Sequence, residues 1–433
     1  MEVDRASRPI DPGILARLQA RLDELGGISE EPGRLTRWFQ SDAMRRVNQR
    51  MIEWGTAAGL VPTVDAIGNV RLRRDSAVVP TPGVPRPLLV LGSHLDTVRD
   101  AGRFDGPLGV LTALACVEQL QAWGKVPPFD VEVVGFADEE GLRFQTAYLG
   151  SAFYIGQFQE AWLGLRGEEG VTLREVLSHE GGVAESVLAA QRTPDGLIGY
   201  LEVHIEQGPH LESVDRAVGV VSAIAAQTRA RLLFTGRADH AGTTSMELRR
   251  DALCAAAECI LAVEAKARSV DGMRATVGQI AVEPSASNVV PATVTLSLDI
   301  RHAVDAVLAA AVEQLKLETA RLAAVRGIGL RWEILQEGTA VPMDEHLSAV
   351  LRSGVERVQR DVPVLVSGAG HDAAVMARVC PVAMLFVRCR GGVSHHPDEF
   401  ASPTDIAAGL SVLADAVCRL ADGDVAVSGK GIR

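Results

Sequence analysis

The sequence predicts an α/β chain whose larger domain is interrupted by a smaller α+β domain. Two observations carry this: strand and helix patterns alternate at both ends of the chain, and the middle follows a different order. Residues 17–25 and 44–58 have helical spacing, 79–87 is a Pro/Gly-rich loop, and the apolar run 88–91 suits a buried strand. Helical periodicity over 106–120 and strand character over 131–136 complete a βαβ unit. The alternation resumes with a strand at 363–366, a helix at 371–378, a strand at 382–387 and a helix at 404–420. Between these ends, strand spacing at 228–235, a helix at 249–265, strands near 276–281 and 293–300, a helix at 303–325 and a strand near 330–335 give β-α-β-β-α-β. That order is the ferredoxin-like split unit. The expected organisation is a discontinuous domain of 1–221 and 336–433 with an insert of 222–335.

The chain has 433 residues, 47% of them hydrophobic, enough for more than one core. Its formal net charge of −12 repels phosphate backbones and anionic lipid, so neither nucleic acid nor a membrane surface is an expected partner. The N-terminal stretch lacks an apolar segment behind a basic start, and no apolar run reaches the roughly 18–20 residues that span a bilayer. Six scattered cysteines without CxxC spacing suit reduced thiols, and a cytoplasmic protein is expected.

Four clusters carry chemistry. The first is Gly92-Ser93-His94-Leu95-Asp96-Thr97 with Gly102-Arg103-Phe104-Asp105-Gly106. His94 is expected just past a strand end, where open α/β sheets bind ligands. The Asp96 side chain could accept a hydrogen bond from one His94 nitrogen and leave the other for a metal. Asp105, at a helix start, could bridge two cations. Taken alone, these read better as an incidental loop histidine and an N-cap aspartate. The second, Asp138-Glu139-Glu140-Gly141, crowds carboxylates that repel unless a cation or solvent neutralises them. It reads equally well as a solvated acidic turn. Alternation in the third, Glu202-Val203-His204-Ile205-Glu206-Gln207-Gly208-Pro209, puts Glu202, His204 and Glu206 on one strand face, although a lone strand histidine is more often structural. The fourth is Gly391-Gly392-Val393-Ser394-His395-His396-Pro397-Asp398. The joint pattern, all of it outside the middle segment, is hard to explain as structure alone.

These residues resemble the M20 metallopeptidase superfamily and, within it, the amidase/hydantoinase/carbamoylase branch. The resembling motifs are GSHLDTV with RFDGPLGV, DEEGLRF with LGS, LEVHIEQGPHLE, GRADHAGTT with RRDAL, SNVVPATVTLSLDIRH, SGAGHDA and GGVSHHPDE. The resemblance implies a metallohydrolase domain with an inserted lid and dimerisation domain, and hence a homodimer. It implies two divalent ions per subunit, Zn²⁺ or Mn²⁺, one held by His94, Asp105 and His204 and the other by Asp105, Glu140 and His395. Glu139 is the implied general base, with Asp96 beside the catalytic set. His240 is implied to stabilise the oxyanion, and Gln207, Asn288 and Arg301 to hold a substrate carboxylate. His204 stands where the peptidase branches usually carry a carboxylate.

Two positions depart from the pattern: Ser245 replaces a common proline, and His396 beside His395 leaves the register of the metal histidine open. The run Leu385–Gly392 resembles allantoate amidohydrolases most. The expected reaction is hydrolysis of the terminal ureido group of a small carboxylate-bearing substrate. Allantoate comes first and N-carbamoyl-L-amino acids second, followed by a ureidoglycolate-type substrate or a dipeptide. A non-catalytic binding protein would have lost Glu139 or a ligand, and none is missing.

Overall fold

The computed structural model describes residues 8–79, 81–179 and 184–423, so Pro80 of the 79–87 loop lies outside it. The chain divides into two compact units: Met1–Ser222, Met343–Leu365 and Gly370–Arg433 form the first, Ala223–Pro342 and Val366–Ala369 the second.

The first unit is built on a mixed sheet in which Val61–Val64, Val70–Arg74, Asp130–Phe136, Leu88–His94, Leu197–Ile205, Val382–Val387 and Val218–Ile224 lie side by side in that order. The four inner strands Asp130–Phe136, Leu88–His94, Leu197–Ile205 and Val382–Val387 are parallel. Every residue of Leu88–His94, Asp130–Phe136 and Val382–Val387 is buried, which is why their apolar runs do not alternate. The helix Pro107–Ala122 makes the crossover between the first two and is buried nearly all round, with helices Pro12–Gly26 and Pro403–Asp422 packed on it. Pro403–Asp422 begins with a Ser402 side chain accepting from Asp405 N and ends at Gly423 in the left-handed region. The register pairs His94 with Phe136 and His204 with Phe386, so all four inner strands end on one edge. Open α/β sheets bind ligands at that edge.

Three expectations change here. The strand beginning at Leu88 runs on to His94, which is therefore its last residue, not one beyond it. Polarity did not end it because Ser93 Oγ donates to the buried Glu202 Oε1 at 2.9 Å. Glu206 does not share the strand face of Glu202 and His204. The strand stops at Ile205, and the Glu206 carboxylate instead accepts from the amides of His210 (2.7 Å) and Leu211 (2.9 Å). The helix expected at 371–378 shrinks to Ala373–Met376, and His371 just before it packs edge-on against the His204 ring.

In the second unit, Ile280–Glu283, Thr293–His302, Ala226–Thr235 and Gly329–Gly338 form an antiparallel sheet in that order, with Arg274–Thr276 also paired to Thr293–His302. Along Thr293–His302 every second residue is buried, and the helices Ala252–Ser269 and Asp305–Val325 pack on the sheet. The last strand continues to Gly338, and Asp305 Oδ1 accepts from Ala340 N at 2.7 Å, which keeps the stretch after residue 335 with this unit. Ser245 has φ −61°, the angle a proline would impose, so its turn survives the replacement. Among the described residues no helix is long and apolar enough to cross a membrane.

Candidate metal centre

The site grows from the shared edge of the four parallel strands. His94 ends its strand, Asp138, Glu139 and Glu140 follow Phe136, His204 is next to last in its strand, and His395 comes on the loop after Val387. Asp105 precedes Gly106, which takes φ +81° at the start of the Pro107–Ala122 helix; a Cβ there would fall 2.5 Å from the His94 ring. Only glycine gives both that angle and that clearance.

Asp105 is central. Its Oδ1 lies 3.1 Å from His204 Nε2 and 3.4 Å from His94 Nε2, while its Oδ2 lies 3.2 Å from His395 Nε2. His395 Nε2 is in turn 3.4 Å from Glu140 Oε1. The donor atoms of His94, Asp105 and His204 all lie within 4.8 Å of one another, as do those of Asp105, Glu140 and His395, and those of His94, Glu139 and Glu140. His396 turns away: its Nδ1 faces Asp398, while His395 takes a left-handed φ of 54° and joins the cluster.

The rings are oriented from behind. His204 Nδ1 lies 2.9 Å from the Ile205 carbonyl and His94 Nδ1 3.0 Å from the Asp96 carbonyl, which leaves each Nε2 facing Asp105. The sequence expectation for Asp96 is thus corrected. Its carboxylate is 3.6 Å from the His94 ring, and it accepts instead the amides of Glu139 and Glu140, each at 3.0 Å. Two buried amides at the exit of a strand need acceptors more than a ring already served by a carbonyl does.

Electrostatics favour a cation. Burial pushes Glu139 well above the usual carboxylate range, and the adjacent Glu140 adds to it. Burial and then the charge of Asp105 raise Glu140 to about 7. Burial opposes charge on Asp105 too, but bonds from His204, His395 and His94 outweigh it and hold it well below that range. Bonding to Asp105 raises His395 to about 9 against the effect of burial. Buried carboxylates crowded among imidazoles are the environment that a divalent ion neutralises. The N/O donor set fits Zn²⁺ or Mn²⁺.

Of the expected substrate residues, Gln207 donates through Nε2 to Asp105 Oδ2 at 2.8 Å. His240, Asn288 and Arg301 belong to the second unit. There the Asn288 carbonyl accepts from Ala241 N at 2.9 Å, and His240 pairs with Val289 across a short strand. His240 is exposed and its Nδ1 accepts from Gly242 N at 3.1 Å, which leaves Nε2 as the ring's donor. Arg301 lies along Asp299, with Nε to Oδ1 and Nη2 to Oδ2 both at 2.7 Å.

Three residues that the sequence reading left without a role, Glu202 on the His204 strand face and His371 and Glu399 within quoted motifs, support the site. Glu202, 1% exposed, accepts from Ser93, Tyr200 Oη (3.1 Å) and Ala373 N (3.1 Å) and so ties three segments beneath the site. His371 meets the His204 ring edge-on at 4.5 Å; burial, then the charge of His204, holds its pKa well below 6.5. Glu399 accepts from the amides of Phe104 and Asp105 at 2.8 and 3.0 Å.

Comparison with known proteins agrees with this geometry. Residues 90–419 match the model of "Peptidase family M20/M25/M40". A "Probable allantoate deiminase" from Oryza sativa subsp. japonica is 39% identical, covering 91% of this chain and 86% of that protein. An "N-carbamoyl-L-amino acid amidohydrolase" from Geobacillus stearothermophilus is 36% identical, covering 94% and 99%. The crystal structure of an "Amidase, hydantoinase/carbamoylase family" from Burkholderia multivorans superimposes with a TM-score of 0.86 at 35% identity, covering 95% of this chain and 98% of that one.

Proposed function

Because this chain belongs to peptidase family M20/M25/M40 and is a hydrolase of C–N bonds, we propose that it is an allantoate amidohydrolase, cleaving the terminal ureido group to release ammonia and carbon dioxide. One observation carries the chemistry: the two oxygens of Asp105 face different ligand sets, with the buried Glu139 beside them. His94, Asp105 and His204 would hold one divalent ion, Zn²⁺ or Mn²⁺, and Asp105, Glu140 and His395 a second; when bound they would supply Lewis acidity at the ureido carbonyl and lower the pKa of water. Glu139 takes the proton of the attacking water and returns it to the departing nitrogen. The addition of water across the C–N bond frees ammonia, and the remaining carbamate loses carbon dioxide. Asp96 holds the peptide that carries Glu139 and Glu140.

The second unit serves as lid and dimerisation domain in this reading. The Nε2–H of His240 donates to the developing oxyanion. Arg301, Asn288 and Gln207 hold the substrate carboxylate, a task suited to a guanidinium fork. The enzyme works as a homodimer in the cytoplasm; six free cysteines suit such a reducing compartment.

Identity of 38–39% to allantoate deiminases, against 34–36% to N-carbamoyl-L-amino-acid amidohydrolases, supports allantoate as first choice. The second reading has support from the Geobacillus relative, whose printed substrate also joins a ureido group to a carboxylate. Ammonia release by the metal-loaded protein from allantoate, N-carbamoyl-L-amino acids and ureidoglycolate, alongside amino-acid release from plain dipeptides, decides. Turnover of carbamoyl amino acids alone favours the second reading, and dipeptide turnover alone overturns both.

A further inference from the structure

Glu399 lies outside every ligand and substrate set above, yet it touches the peptide that carries Asp105. It is 4% exposed. Its Oε1 accepts two amides, from Phe104 at 2.8 Å and from Asp105 at 3.0 Å, just before the Pro107–Ala122 helix begins. Its Oε2 is 3.1 Å from Ser394 Oγ, which is also 2.7 Å from Asp105 Oδ2. The same carboxyl therefore reaches the bridging aspartate twice, through its backbone and through a hydroxyl relay to its side chain.

The slot that admits Glu399 is made by a missing side chain. A Cβ at Gly102 would fall 2.3 Å from Glu399 Cβ and 2.4 Å from both its Cδ and Oε1. The contact joins segments 295 residues apart. A carboxylate that must face one ligand set with each oxygen has to be held against rotation about a soft, broad torsion. The Ser394 hydroxyl does this on the Oδ2 side, and the two amide bonds fix the loop from which the side chain springs.

We propose that Ser394 and Glu399 are positioning residues that set the carboxylate plane of Asp105 and through it the affinity of the cation shared with Glu140 and His395. The proposal rests on the two-ion reading above, so its test must separate the two. Metal-stripped protein is titrated with Mn²⁺ alone by calorimetry, and Co²⁺ absorption spectra report the ligand field. Wild-type protein binding two Mn²⁺ per chain, with Asp105→Asn losing both, supports the underlying reading. Fewer than two sites in the wild type ends that reading and this proposal with it.

Given two sites, Ser394→Ala and Gly102→Ala are each expected to weaken one Mn²⁺ site about tenfold or more, as losses of supporting hydrogen bonds around metal ligands do, and to change the Co²⁺ spectrum. Gly102→Ala displaces Glu399 without removing any polar group. Glu399→Gln keeps an acceptor for the two amides and gives Ser394 Oγ an N–H donor in place of an acceptor, which commits the serine proton to Asp105 Oδ2, and is expected to bind within about threefold of wild type. Glu399→Ala should show the full loss; should it fail to fold, Ser394→Ala decides alone. Wild-type Mn²⁺ affinity at both sites in Ser394→Ala and Gly102→Ala overturns the proposal.

Discussion

Oδ1 of Asp96 accepts the backbone amide of Glu139 at 3.0 Å, and Oδ2 takes the next amide, that of Glu140, at the same distance. Both acceptor oxygens are thus spent on two successive amides, and Asp96 is 1% exposed. Asp96→Asn keeps the shape but turns one acceptor into an N–H₂ donor facing an amide N–H. A buried unsatisfied amide costs about 1–3 kcal/mol. The shifted peptide also displaces Glu139, and a misplacement of about 1 Å can cost on the order of 10² in rate. Urea melts and kcat together check this: a variant with wild-type stability and turnover would show the clamp to be idle.

Motifs made the ligand candidates legible in the sequence, because each lies where a strand run breaks into Gly-, Asp- or His-rich text. What the text could not show was which atom serves which neighbour. Asp96 two residues after His94 suggested a side chain on the ring, but a backbone carbonyl already stood there. Glu206 looked like the third member of an alternating face, but Gln207, just ahead of the turn pair Gly208-Pro209, goes left-handed at φ 57° and the strand stops at Ile205. Glu202 shares the spacing of His204 and Glu399 closes the His395 motif, but both act on segments far away in sequence, so the text does not show which atoms they bond. The pattern of apolar alternation, by contrast, is local, and it gave both helices and the long strands of the second unit to within a few residues.

Glu139→Gln removes the proposed base while keeping its volume. The ions, if held by the five ligands named, stay bound, and turnover falls by about 10²–10⁴, the usual reach of general-base catalysis. Metal content by elemental analysis and kcat on allantoate are the two measurements. Full metal with undiminished kcat removes Glu139 from the mechanism.

His395 gives a pH dependence of known sign. Its pKa is raised to about 9 by bonding to Asp105, so in metal-free protein it carries a proton at neutral pH. That proton favours the native metal-free state below pH 6.5 and the benefit is lost as pH climbs through about 9. A metal needs the neutral ring, so binding must expel the proton. Mn²⁺ affinity should therefore rise with pH between about 6.5 and 9, by about tenfold per unit for each proton released. Calorimetry in two buffers of different ionisation heat counts the protons, and a count of zero at neutral pH contradicts the assignment.

In the proposed reading, carboxylate selection turns on Arg301. Its Nε and Nη2 are taken up by Asp299, which also accepts from Gln227 Nε2 at 2.7 Å and Arg229 Nε at 3.0 Å. Burial opposes the Asp299 charge, but bonding to Arg301 prevails and lowers its pKa, so this is a fixed anion orienting a fixed cation. Arg301 Nη1 also donates to the Gly368 carbonyl, so a substrate carboxylate would meet the hydrogens that Nη1 and Nη2 have left, and lysine cannot serve Asp299, Gly368 and a substrate together. Arg301→Ala and Arg301→Lys should both raise KM for allantoate about tenfold or more with a smaller change in kcat, because the anchor is held in ground and transition states alike. On a ureido compound lacking the carboxylate the same variants should show little penalty, since the partner of the arginine is then absent from the substrate itself. An unchanged KM for allantoate would leave Arg301 with no role beyond pairing with Asp299 on its own strand.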